Sequence, residues 1–139
     1  MLDGSIVKTK KIAEMENNFL NVNKIDAYNR SFDLSNVIWD IVINWDYFAK
    51  STVGKQLVNS ADSISANIAE GFGRYHKKDK IKFYRYSNGS LLESIDWVKK
   101  SEVRDLITKE QFDYIINHLT ELPKELNQLI KYTNIKLKY

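Results

Sequence analysis

The chain has 139 residues, 43% of them hydrophobic, so it is long enough to bury one ordinary core without disulfides or a structural metal. Cysteine is absent, which excludes a disulfide framework, thiol catalysis and cysteine metal sites and is compatible with a reducing compartment. The net charge is only +3, no stretch approaches the ~18 apolar residues of a membrane span, and the N-terminus lacks a signal-peptide pattern. We therefore expect a soluble, cytoplasmic protein with no membrane contact.

Residues 1–30 show no clean apolar period, and we interpret them as an N-terminal extension to a domain of residues 31–139. Apolar side chains in the extension are available to dock on the domain or on another subunit. They are Ile6, Val7, Ile12, Met15, Phe19 and Leu20.

One proline and five glycines give the chain few turn signals, so helices are the expected elements. A first helix is predicted to be capped by Asp33 or Ser35 and to end near residues 51–54. Its apolar positions recur at spacings of three and four, at Leu34, Ile38, Ile41, Trp45 and Phe48.

A second helix is predicted from about Val53 to Gly71, and the short connection makes it antiparallel to the first. Gly71 and Gly73 are predicted to form its C-terminal stop. It carries an apolar stripe of Leu57, Ala61, Ile64, Ile68 and Phe72 beside a polar stripe of Gln56, Ser60, Ser63, Asn67, Glu70 and Arg74.

The polar stripe of the second helix has three interpretations, because buried polar groups need partners. The favoured one is a structural hydrogen-bond network that fixes helix register. The second is a subunit interface in which the stripe faces Ser90 and Glu93 of the third helix, and the least favoured is a catalytic site. Glu70 and Arg74, four residues apart, also have the spacing of a surface ion pair.

A third helix is predicted from about Lys77 to Val98. Gly89 lies in its middle and costs ~1 kcal/mol relative to alanine, so a neighbouring helix is predicted to approach closely at Gly89 and Ser90. Its apolar side carries Ile81, Tyr84, Leu91, Ile95 and Val98.

A fourth helix is predicted to begin at the cap residue Thr108, and Pro123 should either kink it or break it in two. Its predicted buried face consists of Phe112, Ile115, Ile116, Leu119, Leu122, Leu126, Leu129 and Ile130.

A run of basic residues joins the second and third helices. Against the single acid Asp79 it contains Arg74, Lys77, Lys78, Lys80, Lys82 and Arg85. Aromatic neighbours such as Tyr75 and Phe83 are available for stacking, so the run is typical of a phosphate-binding surface. Docking of an acidic protein partner and a merely solvated helix start remain as alternatives. A second, weaker basic tail consists of Lys131, Lys136 and Lys138 with Tyr139.

The sequence contains no catalytic or metal-binding motif that we recognise. Gly73 and Ile115 stand three residues before His76 and His118, where a di-iron bundle requires glutamate. The Gly71-Phe72-Gly73 run ends a helix, whereas a dinucleotide loop follows a strand. We predict no metal, no cofactor and no enzymatic activity, with His118 a satisfied histidine at the core edge.

The chain resembles the small bacterial four-helix-bundle family associated with intervening sequences in large-subunit ribosomal RNA genes. The resemblance rests on Ser63 to Arg74, which reads Ser-Ile-Ser-Ala-Asn-Ile-Ala-Glu-Gly-Phe-Gly-Arg, and it covers roughly Leu34 to Ile130. Further matching stretches are Val53-Gly54-Lys55-Gln56-Leu57-Val58, Ser60-Ala61-Asp62-Ser63-Ile64, Phe83 and Gly89-Ser90-Leu91-Leu92-Glu93.

The resemblance implies an all-α, antiparallel up-down four-helix bundle that assembles into a cyclic homo-oligomer, in particular a pentamer, and has no enzymatic activity. One branch of the family is the accessory protein of diversity-generating retroelements, which works with a reverse transcriptase and nucleic acid. The residues interpreted as the structural motif are Ser63, Asn67, Glu70, Gly71, Gly73, Gly89, Ser90 and Glu93.

Together these patterns predict a non-enzymatic oligomer that binds RNA or DNA through its basic run. The alternative is a protein-interaction or scaffold module that does not bind nucleic acid directly.

Overall fold

The computed structural model describes residues 21–139, which form four long helices and, within that range, no strand. We label them α1 (Asp26–Val42), α2 (Lys55–Phe72), α3 (Lys77–Val103) and α4 (Lys109–Lys136). A 3-10 turn, Val22–Lys24, precedes α1, and a helical turn, Tyr47–Ala49, with a π-helical segment, Lys50–Gly54, leads into α2. The predicted all-α four-helix bundle is confirmed.

Each helix packs against two others, since α2 contacts α1 and α3 while α4 contacts α3 and α1. The short connections make successive helices antiparallel. The bundle therefore has an upper end, formed by residues 43–54 and 104–108, and a lower end, formed by residues 73–76, the start of α1 and the end of α4.

The apolar positions predicted from helical spacing supply most of the core. Fully buried side chains come from all four helices, and they include Leu34, Ile38, Leu57, Ile64, Ile68, Leu91, Val98, Ile115, Leu119, Leu122 and Leu126. Tyr84 is the largest of them, and burial raises its pKa to about 12, against a smaller lowering by a side-chain hydrogen bond with Thr133.

The predicted limits of the first helix are wrong at both ends. The helix begins at Asp26, and Ser35, a proposed cap, lies inside it with its hydroxyl bonded to the carbonyl of Phe32. Burial of Ala27 and Ser31 extends the packed face toward the N-terminus, so tertiary packing outweighs the cap signal. The predicted boundary between 1–30 and 31–139 therefore falls inside α1, while the proposed docking of the side chains from Ile6 to Leu20 lies outside the described residues.

The first helix ends at Val42, so Trp45 and Phe48 are not part of it. Trp45 is half-buried against the core, whereas Phe48 is exposed on the turn that follows. The fourth helix runs without a break through Pro123, which excludes a split into two helices. Its start is as predicted, because Thr108 and Gln111 form a capping box.

Gly71, near the end of α2, allows close packing against α3, and this role is more important than ending the helix. A methyl group there would lie 2.8 Å from Cε1 of Tyr84 and 2.9 Å from the carbonyl oxygen of Lys80, both on α3. Gly73 is the C-cap, as predicted, but with φ of −78° it does not use the left-handed conformation. The start of α3 therefore lies directly against α2 at Gly71.

The prediction of close helix approach at Gly89 is wrong within the chain. Gly89 is exposed, and a methyl group built on it would meet nothing within 4 Å. The close approaches occur at Gly71 and at Gly54, where a methyl group would lie 2.6 Å from Cγ1 of Val42.

Candidate nucleic-acid interface

A basic cleft opens at the lower end between the start of α3 and the end of α4. Its volume is about 550 Å³, and its lining consists of Lys77, Lys78, Asp79, Ile81, Lys82, Arg85, Asn134 and Tyr139. Four cationic side chains therefore share the cleft with one carboxylate. We call this the basic cleft.

The cleft is closed on one side by contacts between its two helices. The backbone N–H of Lys77 donates to the carbonyl of Tyr139 at 2.6 Å, and the Lys77 ammonium donates to the carbonyl of Asn134 at 3.2 Å. The C-terminal wall, with Asn134 and Tyr139, was not part of the predicted site, since the sequence marked this segment only as a weaker basic tail.

Two of the six predicted site residues are engaged elsewhere. The ammonium of Lys80 donates to the carbonyl of Phe72 at 2.5 Å, where it caps the end of α2, and burial lowers the pKa of Lys80. Arg74 forms the expected ion pair with Glu70 at 2.5 Å and stacks over the ring of Phe83 at 4.5 Å. Neither side chain lines the cleft.

Lys78, Lys82 and Arg85 are the available cations of the cleft. The side chains of Lys78 and Arg85 have no hydrogen-bond or ionic partner among residues 21–139, and the Lys82 ammonium contacts only the ring of Phe83, at 5.4 Å. All three are exposed. The unpaired charge of the basic run is thus concentrated on three side chains.

The polar stripe of the second helix is paired differently from the prediction. Ser63 donates to the carbonyl of Asn59, and Asn67 to that of Ser63, so both bond locally along α2. Glu93 is exposed, and Ser90 contributes only its carbonyl, which accepts from Ser94. The predicted pairing of the stripe with Ser90 and Glu93 is not formed within the chain.

A hydrogen-bond network between α2 and α3 does exist, but on α3 it uses the face next to the one that carries Ser90 and Glu93. The Ser94 hydroxyl donates to the Ser60 hydroxyl at 2.9 Å, and the Ser87 hydroxyl donates to the carbonyl of Ile64 at 2.8 Å. Ser87, Ser94 and Ser101 are all fully buried. Their spacing of seven along one helix face was the signal in the sequence that could have located this network.

A second polar cluster lies between α1 and α4. Arg30 contacts Glu125, and its Nη1 lies 2.8 Å from Nδ1 of His118, so this histidine is a paired group at the core edge, as predicted. No group of three or more potential ligands is placed to hold a metal ion anywhere in residues 21–139. No helix in that range is long and apolar enough to cross a membrane.

These observations define a class of protein, an all-α up-down bundle with a basic cleft at one end. The family model described as 23S rRNA-intervening sequence protein matches residues 23–128, and the chain belongs to that family.

A solved structure supports the fold independently. It is the crystal structure of a protein of unknown function from the S23 ribosomal protein family of Bacteroides thetaiotaomicron, with 25% sequence identity and a TM-score of 0.68. The similarity covers 76% of this chain and 98% of the other. A comparison with curated proteins finds no match.

Proposed function

We propose that this protein is a non-enzymatic, cytoplasmic nucleic-acid-binding protein that holds a phosphate backbone in the basic cleft. The observation that supports it best is the convergence of Lys78, Lys82 and Arg85, three exposed cations without carboxylate partners in the described chain, on one cleft. Phosphate oxygens are strong acceptors for such groups.

Backbone contacts of this kind give affinity without choosing a sequence. Two exposed aromatic rings, Tyr139 on the cleft wall and Tyr75 two residues before α3, are available to stack on unpaired bases. The family description refers to intervening sequences of 23S rRNA, so single-stranded RNA is the first ligand to test.

Assembly into a cyclic homo-oligomer, with a pentamer as implied by the resemblance, is the second part of the proposal. Phe32 and Trp39 fall on one side of α1, with the C-cap residue Ile43 in line with them, and the three are 48%, 52% and 44% exposed. Large exposed apolar side chains aligned along a helix are typical of a surface that another subunit covers, and we call these three the apolar stripe of α1. A ring would repeat the basic cleft around its axis.

The assembly is tested by light scattering at micromolar concentration. Wild type should be oligomeric, and Phe32→Ser with Trp39→Ser should shift it toward monomer, while Tyr47→Ser, which removes an exposed aromatic away from the stripe, should not. A monomeric wild type would contradict the proposed ring.

The competing function is a protein-interaction module, in which the same cations dock an acidic surface of a protein partner, such as a reverse transcriptase. The exposed apolar stripe of α1 favours protein contact in general. If nucleic acid fails to bind while an acidic protein binds in a manner that requires Lys78 and Lys82, this alternative replaces the proposal.

The central experiment measures binding of single-stranded RNA and of DNA over a range of salt concentrations. Wild type should show salt-sensitive binding, and the variant Lys78→Gln, Lys82→Gln, Arg85→Gln should bind more weakly. Its slope of log affinity against log salt should flatten by about 0.7 per lost phosphate contact, or roughly 2 per chain.

The matched control is Lys24→Gln, Lys50→Gln, Lys99→Gln, which removes the same charge from exposed lysines outside the cleft. It should keep most of the affinity and most of the slope. Equal losses in the two triple variants would show that net charge, and not the cleft, governs binding. No salt-sensitive binding by wild type would refute the proposal.

A further inference from the structure

A second groove lies at the upper end of the bundle, opposite the basic cleft. Its volume is about 810 Å³, within the range of small-molecule sites. The groove lies between the segment that precedes α2 and the C-terminal end of α3. Its lining consists of Asp46, Phe48, Ala49, Ser51, Thr52, Val53, Lys55, Gln56, Trp97, Arg104 and Leu106.

The apolar part of the groove is built by Phe48, Val53, Trp97 and Leu106. Trp97 is half-buried against the core, whereas the ring of Phe48 is 76% exposed. A large aromatic side chain that exposes most of its surface beside a groove leaves apolar area for a ligand to cover.

The polar groups of the groove differ in whether they are already paired. The Asp46 carboxylate accepts from the N–H of Ala49, and the hydroxyls of Ser51 and Thr52 donate to the carbonyl of Phe48. The side chains of Lys55 and Arg104, by contrast, have no hydrogen-bond or ionic partner in residues 21–139. Apart from the neutral amide of Gln56, the unpaired polar side chains of the groove are therefore cationic.

Irregular backbone on both sides positions these two cations. Lys55 follows the π-helical segment Lys50–Gly54, which lies close to α1 because Gly54 has no side chain to meet Val42. Arg104 is the C-cap of α3, and the next residue, Asp105, has a positive φ of 56°. The N–H of Leu106 then bonds back to the carbonyl of Ser101, which turns Leu106 toward the groove.

We propose that the upper groove binds a small organic anion with a flat apolar body, whose acidic group pairs with Lys55 and Arg104 while its body packs on Phe48 and Trp97. The charge of the ligand is complementary to the two unpaired cations, and its apolar body is complementary to the exposed rings. Arginine offers a planar fork to a carboxylate or sulfonate, and its pairing is stronger where apolar surface excludes water. The upper groove shares no lining residue with the basic cleft.

The probe is 8-anilinonaphthalene-1-sulfonate, an aromatic sulfonate whose fluorescence rises in apolar surroundings. Wild-type full-length protein should bind it saturably, with one site per chain. Lys55→Gln and Arg104→Gln should each weaken binding, by about tenfold for the loss of a charged hydrogen bond. Phe48→Ser, which changes an exposed side chain, should weaken it as well.

The controls separate the groove from general surface stickiness. Lys50 belongs to the π-helical segment before α2, and Lys99 belongs to α3, but neither lysine lines the groove. Lys50→Gln and Lys99→Gln should therefore leave the affinity for the sulfonate unchanged. N-phenyl-1-naphthylamine, an uncharged aryl-naphthylamine, should bind more weakly than the sulfonate and respond to Phe48→Ser but not to Lys55→Gln.

Circular dichroism should show every variant folded before titration. Non-saturating binding, equal affinity in Lys55→Gln, Arg104→Gln and wild type, or equal binding of the uncharged probe would each overturn the proposal.

Discussion

The lower end of the bundle gathers charge on regular helices, whereas the upper end gathers apolar surface on irregular backbone. At the lower end, the first turns of α3 display Lys78, Lys82 and Arg85 on a helix held against α2 at Gly71. At the upper end, a π-helical segment and a left-handed residue place Phe48, Lys55 and Arg104 around one groove. A binding surface can therefore be encoded by composition in one place and by backbone geometry in another.

The largest expected effect is a fall in stability at alkaline pH that arises near the lower end of the bundle. Tyr84 lies on α3, the helix that carries the cations of the basic cleft, and burial raises its pKa to about 12, above the ordinary value of 10.0. A raised tyrosine pKa means that the folded state keeps the proton longer, so this contribution to stability is fully present below pH 10 and is lost as the pH rises toward 12. We expect this group alone to lower the free energy of unfolding by about 3 kcal/mol across that window.

Denaturant titrations of wild type and Tyr84→Phe at several pH values between 9 and 12 would measure this loss. The variant lacks the hydrogen bond with Thr133 and should be less stable at neutral pH, but it should lose less stability in the alkaline range. Tyr75→Phe, which changes an 84% exposed tyrosine, is the control and should behave as wild type does. Parallel pH curves for wild type and Tyr84→Phe would contradict the argument.

The next largest effect concerns the packing that holds the basic cleft in place. Gly71→Ala would put a methyl group 2.9 Å from the backbone oxygen of Lys80, which cannot move without shifting α3, so we expect a destabilisation of about 1 to 3 kcal/mol. Gly89→Ala is the matched control on an open helix surface and should stabilise by up to about 1 kcal/mol.

Thermal and denaturant unfolding of both variants measures whether each substitution raises or lowers the free energy of unfolding. If Gly89→Ala is destabilised, another subunit lies against Gly89 in the assembled protein. The destabilisation should then disappear when the protein is diluted below the concentration at which it associates. An unchanged Gly71→Ala would mean that the contact between α2 and α3 is softer than the structure indicates.

The sequence predicted those features that depend on the regular period of a helix. The apolar stripes, the cap at Thr108 and the exposed cations of α3 follow directly from spacing and residue type, and they are in place. The start of α1 was missed because its N-cap, Ile25, makes no side-chain cap hydrogen bond, so the helix start depends on the packing of Ala27 and Ser31.

Glycine roles were harder to assign, because spacing does not say which glycine faces a neighbour. The sequence predicted that Gly71 ends the second helix and that Gly89 allows a close approach of two helices. In the structure the close approach occurs at Gly71. The upper groove was not predicted at all, since its residues come from the irregular helical segments before α2, from the start of α2 and from the end of α3, which is distant in sequence. Nothing in the local pattern of residues 46–56 indicates that they meet Trp97 and Arg104.

The smallest expected effect sharpens the comparison at the upper end. Asp105 is the one non-glycine residue with positive φ in the described chain, at 56°, and it follows the C-cap of α3 in the position that usually holds glycine. Its carboxylate also lies near the negative end of the helix dipole. Asp105→Gly removes both penalties, although glycine gains freedom in the unfolded chain, so we expect a stabilisation of a few tenths to about 1 kcal/mol.

Because Asp105 orients the chain between Arg104 and Leu106, the same variant tests whether the strain serves the groove. If the turn is fixed by the bond from Leu106 to Ser101, Asp105→Gly should raise the melting temperature and leave the affinity for the naphthalene sulfonate unchanged. Asp105→Asn, which removes the charge and keeps a side chain that tolerates the left-handed region, should recover only the electrostatic part of the gain. A loss of probe affinity in Asp105→Gly together with the gain in stability would show instead that the left-handed aspartate holds Arg104 in place, and that the upper groove is maintained at the expense of helix-end stability.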